Sequence, residues 1–149
     1  MSFGGEIMFK KILVPVDGSD SGWRALAAAK EMAEKFDGDL VVTTVTQPID
    51  HLNLLVVRRE FQDTLAELKA VSEKILSLAK MKLTGYNKKV DYVIKEGHPA
   101  ECIVAVAKEK NCDGIVIGRR GLSGVEEFFL GSVSSSVAQQ AEIPVVIVR

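Results

Sequence analysis

Five short, almost unbroken runs of β-branched and apolar residues punctuate this chain: Ile12-Leu13-Val14-Pro15-Val16, Leu40 to Val45, Val90 to Ile94, Gly114 to Ile117 and Val145 to Val148. Each is too short for a helix, so each reads as a strand. Strands with one wet face alternate apolar and polar residues, whereas these are apolar nearly throughout and must be buried on both faces. Burial on both faces is the mark of a parallel sheet sandwiched between helices.

The segments between the runs have the period of amphipathic helices. Ser19 is placed to cap a helix whose apolar positions Trp23, Leu26, Ala29, Ala33 and Phe36 recur at three and four, with Asp37-Gly38 ending it. A loop around Gln47-Pro48 leads to a long helix with Phe61, Leu65, Leu68, Ile75, Ala79 and Leu83 on one face, stopped by Gly85. Gly97-His98-Pro99 precedes a helix through Ala100, Ile103, Val104 and Ala107, and another runs from about Ser132 to Ala141 before Pro144. The order is β-α-β-α-β-α-β-α-β. Right-handed crossovers then give an α/β domain: a doubly wound, five-stranded parallel sheet flanked by helices. Pro15 sits awkwardly, since a central strand has no room for a missing N–H unless pairing lapses at its carboxyl end. With 149 residues, one domain over 9–149 is expected, residues 1–8 being a loose lead-in.

Composition narrows the function classes. The 19 Lys and Arg against 20 Asp and Glu leave a net charge of -1, which speaks against a protein that wraps nucleic acid by neutralising phosphates. No apolar run approaches about 18 residues, and the first residues lack the pattern of a signal peptide, so no membrane partner and a cytoplasmic location are expected. Cys102 and Cys112 have no second pair or histidine at metal spacing and read as ordinary small, half-buried residues. His51 and His98 have no Ser or Cys partner in a triad-like arrangement, and no paired carboxylates suggest glycosidase or metal chemistry. Arg58-Arg59-Glu60 and the lysine pairs read as solvated faces.

In open α/β sheets ligands bind beyond the carboxyl ends of the strands. Three such ends carry unusual residues: Asp17-Gly18-Ser19, Val45-Thr46-Gln47, and the long stretch from Gly118-Arg119-Arg120-Gly121 to Gly131-Ser132-Val133-Ser134. Two readings of that stretch stand side by side. Its glycines serve turns and Ser132 caps a helix; or the glycines admit a ligand and the helix start offers N–H groups and hydroxyls to an anion. No Gly-Lys-Ser or Gly-Lys-Thr occurs, so it is not a Walker loop, and it does not follow the first strand as a Rossmann fingerprint would. Asp17 likewise is either a turn former or a ligand acceptor. As a phosphoacceptor it would need companion carboxylates, and only Asp20 is near.

The spacing Gly118-x2-Gly121-x9-Gly131-Ser132 resembles the nucleotide-binding signature of the universal stress protein family, in its ATP-binding branch. Ile12 to Ser19 is similar to that family's opening strand, as are Gly97-His98-Pro99 and the closing Ile143 to Val148. The resemblance covers Phe9 to Arg149 and implies a Rossmann-like fold of the adenine nucleotide alpha hydrolase kind, an ATP-binding stress-response sensor or regulator, and a homodimer through the C-terminal strand. It implies further that Pro15, Val16 and Ile117 help form the nucleotide pocket. Asp17 would accept from ribose hydroxyls and the Val45 backbone would read the adenine edge. Gly118, Arg120 and Gly121 would line ribose and phosphates, while Gly131, Ser132, Val133 and Ser134 would hold phosphates that carry Mg²⁺ or Mn²⁺. The departure is Arg119-Arg120, where relatives often carry a small residue and a histidine; the two cations either strengthen triphosphate binding or point into solvent. Two other expectations compete: a slow ATPase or nucleotidyl transferase using the same pocket, and a dimeric interaction module without nucleotide.

Overall fold

Among the described residues nine elements follow one another in the expected order: β1 (Lys11–Pro15), α1 (Asp20–Phe36), β2 (Asp39–Thr46), α2 (Arg58–Lys82), β3 (Val90–Glu96), α3 (Pro99–Glu109), β4 (Gly114–Gly118), α4 (Ser132–Gln140) and β5 (Val145–Val148). They are seen in a computed structural model that describes residues 8–47, 58–119 and 131–149, with backbone only for 58–65. All five strands are parallel and lie in the order β3-β2-β1-β4-β5. The chain therefore winds outward from β1 through β2 to β3, then returns to the other side of β1 for β4 and β5.

Pleating sends alternate side chains of the central strand into two separate cores. Ile12 and Val14 of β1, with Val16 just beyond it, pack with Ala25, Leu26, Ala29 and Ala33 of α1 and with Leu76 and Ala79 of α2. Leu13, with Val41, Ile115 and Ile117, packs against Ile103 and Val106 of α3 and Val137 of α4. Ile12, Leu13 and Val14 are wholly buried, as strands covered on both faces require. The outer strands β3 and β5 are only half-buried.

Pro15 is the last residue of β1, and its place is harmless for a specific reason. The N–H of Val16 points toward β2 and donates to Thr43 O at 2.8 Å, so the nitrogen of Pro15 faces β4. The bridges between β1 and β4 end at Leu13↔Ile115. The missing donor thus falls where the two strands have already parted.

Local details depart from the periodicity in three places. Ser19 caps α1 as expected, its side chain accepting from Gly22 N, but the left-handed residue at the far end is Asp37 (φ 56) and not Gly38. Gly38 is needed for proximity instead: a Cβ there would lie 2.4 Å from Phe9 O. Phe36 remains 40% exposed, tilted against the Phe9 ring at 5.3 Å. On α2 the buried positions include Ser72 and Leu76, which the apolar count passed over. The side chains of Phe61 and Leu65 lie outside the described residues, as does His51. Of the cysteines, Cys112 is buried and Cys102 is half-buried, both as free thiols.

Candidate functional site

Where β1 and β4 separate, a cavity of about 140 Å³ opens at the carboxyl edge of the sheet. The end of β1 contributes Pro15, Val16 and Asp17, the end of β2 contributes Val45 and Gln47, and the end of β4 contributes Ile117, Gly118 and Arg119. Three helices begin against it: α1 through Gly22, α3 through Pro99 and Ile103, and α4 through Gly131, Ser132, Val133 and Ser134. A helix start leaves N–H groups without partners inside the helix and carries partial positive charge.

At α4 the donors are explicit. Gly131 is the N-cap, without a side-chain cap, and its carbonyl takes the Ser135 N–H at 3.0 Å. The N–H groups of Ser132, Val133 and Ser134 are those the helix itself leaves over. The Ser134 hydroxyl is engaged inside the protein, donating to Arg119 O at 2.9 Å and to Gly131 O at 3.1 Å. Gly131 N also donates to Arg119 O, at 2.8 Å. One carbonyl at the end of β4 therefore anchors the start of α4, and what Ser134 offers the cleft is its backbone N–H.

Asp17 does two things at once. Its Oδ1 accepts from Ser19 N at 3.0 Å and from Ser19 Oγ at 2.5 Å, and that hydroxyl in turn accepts from Gly22 N at 3.1 Å. The carboxylate thereby orients the cap of α1, with Gly18 at φ 87 making the turn, while Asp17 still lines the cleft. These bonds use Oδ1 alone. A Cβ at Gly22 would stand 3.2 Å from Asp17 Oδ1 and crowd it.

Gly118 is small for a reason the sequence does not display. A Cβ there would meet Ser21 Oγ at 2.5 Å and the Ser21 backbone at 2.7 Å, so the first turn of α1 rests directly on the end of β4. On the other side of the cleft, the β2 wall is pinned by Thr46, whose Oγ1 pairs with Ser72 Oγ at 2.6 Å and whose carbonyl takes the Gly97 N–H at 3.0 Å. Arg119 lines the cleft and the Nη2 of its guanidinium is buried, which favours the inward of the two orientations considered for it. Arg120 and Gly121 lie outside the described residues.

Gln47, at one of the strand ends named from the sequence, lines the cleft, as do Gly22, Pro99 and Ile103, which were not singled out as site residues. Gly22 left a trace of its own, a glycine where the first turn of a helix would favour alanine. His98 precedes α3 without a side-chain capping bond. Among the described residues no group of three or more His, Cys, Asp or Glu is arranged to hold a metal ion, and no helix is long and apolar enough to cross a membrane.

The whole described domain has relatives. The model of the universal stress protein family matches residues 8–149. The universal stress protein YxiE of Bacillus subtilis is 37% identical over 148 residues, covering 95% of this chain and all of the relative. Among solved structures, hypothetical protein MJ0577 superposes with a TM-score of 0.79 at 28% identity, covering 95% of this chain and 96% of that one. A family protein from Arabidopsis thaliana with AMP bound shares the fold at a TM-score of 0.69 and 23% identity, over 93% of this chain and 90% of that one. A universal stress protein in complex with cAMP does so at 0.63 and 23%, over 95% and 98%. A family match over residues 8–149, together with a relative 37% identical along its whole length, makes this chain a member of the universal stress protein family.

Proposed function

We propose that the cleft binds an adenine nucleotide, ATP with Mg²⁺ or Mn²⁺ carried on its phosphates, and that the chain acts in the cytoplasm as a nucleotide-dependent sensor or regulator. The observation that carries this is the pairing of a carboxylate, Asp17, with the bare start of α4 inside one cavity. A nucleotide has the matching ends: ribose hydroxyls that donate and phosphates that accept. Asp17 takes the ribose, the Val45 backbone faces the base, and Pro15, Val16 and Ile117 supply apolar surface. Gly118, with Arg120 and Gly121 on the family resemblance, borders ribose and phosphates, which the N–H groups of Gly131 to Ser134 hold. The AMP and cAMP bound by two relatives of the same fold support the choice of an adenine ligand. With no carboxylate cluster among the described residues, a divalent cation would draw its ligands from phosphate and water.

The described residues supply a phosphate cradle without a Walker lysine or a second carboxylate aligned with it, so rapid phosphoryl transfer is not expected. The β5 edge, four apolar residues left half-buried, is the surface through which a second copy would pair.

Calorimetry with MgATP tests the reading. The wild type should bind at micromolar Kd or tighter, and Gly131→Val, which obstructs two donors each worth about 1.5–3 kcal/mol, should weaken binding roughly a hundredfold or more. No heat with ATP, or equal affinity in the variant, overturns the assignment. Single-turnover release of phosphate at about 1 per second or faster would replace the sensor by an ATPase.

A further inference from the structure

Asp17 and Arg119 are the charged side chains among the described residues of the cleft, and they stand at the ends of different strands. Asp17 is spent partly on the cap of α1. Arg119 belongs to the start of α4. Its carbonyl accepts from Gly131 N at 2.8 Å and from Ser134 Oγ at 2.9 Å, two bonds that tie its backbone to that helix, and its N–H donates to Val148 O of β5 at 2.7 Å. An arginine at the end of a strand ordinarily runs its stem over the surface and leaves the guanidinium in water; here Nη2 is buried.

The placement gathers like charge. α4 has no acidic residue in its first turn to answer the positive end of the helix, and Arg119 lines the same cleft as that helix start. Helix starts favour anions, and a guanidinium lining the same cleft adds donors for the same ligand. A guanidinium also presents a planar fork of donors matched to phosphate oxygens.

We infer that Arg119 is the specificity residue of the cleft, the cation through which affinity rises with the charge of the phosphate chain, so that di- and triphosphates are preferred to the monophosphate and the nucleoside. The inference rests on the adenine-nucleotide reading given above. Asp17 and Val45 recognise the nucleoside, α4 holds the phosphate nearest it, and Arg119 adds the dependence on further phosphates.

The test is a calorimetric series of adenosine, AMP, ATP and tripolyphosphate, each with Mg²⁺, on the wild type, Arg119→Met and Arg119→Lys. The wild type should bind ATP at least about tenfold more tightly than AMP. Arg119→Met should lose about ten- to a hundredfold for ATP and tripolyphosphate, a few-fold for AMP and less than about twofold for adenosine, with Arg119→Lys recovering part of the loss. Unchanged ATP affinity in Arg119→Met overturns the inference and leaves the nucleotide site standing. An equal loss for adenosine and ATP also overturns it, assigning Arg119 to the fold. Tripolyphosphate binding that depends on Arg119 in a protein that ignores adenosine and ATP would refute the adenine reading and keep Arg119 as a polyphosphate residue. If the wild type binds none of the four, both fall. Should Arg119→Met not fold, the wild-type series and Arg119→Lys decide: ATP bound no more tightly than adenosine, or Arg119→Lys equal to wild type throughout, sinks the inference.

Discussion

Adding one methyl group at Gly118 should cost far more than its volume suggests. A Cβ at that position falls 2.5 Å from Ser21 Oγ and 2.7 Å from Ser21 C and O. The hydroxyl can rotate away, but the carbonyl belongs to the first turn of α1. That helix has no slack, because Ala25, Leu26, Ala29 and Ala33 below it are exposed by no more than 1%. Either α1 lifts and opens those contacts or the end of β4 is displaced. Overpacking a rigid core costs about 1–3 kcal/mol, and a backbone obstacle puts Gly118→Ala in the upper half of that range. For a domain of this size, 2–3 kcal/mol corresponds to a fall in Tm of roughly 4–12 °C. Urea denaturation and thermal melting of Gly118→Ala, Ser21→Gly and the double variant measure it. Removing the Ser21 hydroxyl leaves the backbone obstacle in place, so the double variant should recover less than half of the loss. A Gly118→Ala protein within about 0.5 kcal/mol of wild type, or full recovery in the double variant, refutes the claim that α1 rests on Gly118 through its backbone. Gly85→Ala is the control: φ is +90 with nothing within 4 Å of the added Cβ, so only backbone strain of about 1–2 kcal/mol applies.

Asp17→Ala should weaken adenosine and ATP alike while lowering stability by only about 1 kcal/mol through the disturbed Ser19 cap; a large drop in Tm with unchanged affinity would make Asp17 a turn former alone. Ile115 N donates to Pro144 O and Arg119 N to Val148 O, so the ladder turns the N–H of Val145 and Ile147 outward. Val145→Pro should then convert a β5-paired dimer to monomer in light scattering, and an unaltered dimer, or a wild-type monomer, would count against edge pairing. Burial pushes the Cys112 thiol up to about 11, so the unfolded chain loses its proton first as pH rises. Stability should therefore decline from the ordinary thiol range up to about pH 11, and the decline should flatten in Cys112→Ala; identical pH profiles for the two proteins would dismiss Cys112 as the cause.

The architecture was legible because a strand covered on both faces must be apolar at successive positions, as Ile12 to Val14 are. The cap at Ser19 was equally legible, since its partner Gly22 is three residues away. What stayed hidden depends on residues distant in sequence. Ser72 on α2 breaks the apolar period because it answers Thr46 across the sheet edge. Gly118 does line the cleft, but the contact that excludes a Cβ there, with Ser21, could not be read from the sequence. Ser134 resembles a phosphate-binding hydroxyl until its two carbonyl partners are known. Arg119 and Arg120 are equivalent as letters, and only the folded chain shows that Nη2 of Arg119 is buried.

Because every strand runs the same way, the chain enters the sheet at Lys11 on the edge opposite the cleft and leaves it at Val148 on the cleft edge. The two termini are thus unequal as points of attachment. A domain joined after Arg149 begins at the carboxyl edge, beside the cleft, where Arg24 Nε already holds the last carbonyl at 2.8 Å, so a short linker there would hold its cargo at the cleft mouth, whereas the strands enter the sheet on the opposite edge.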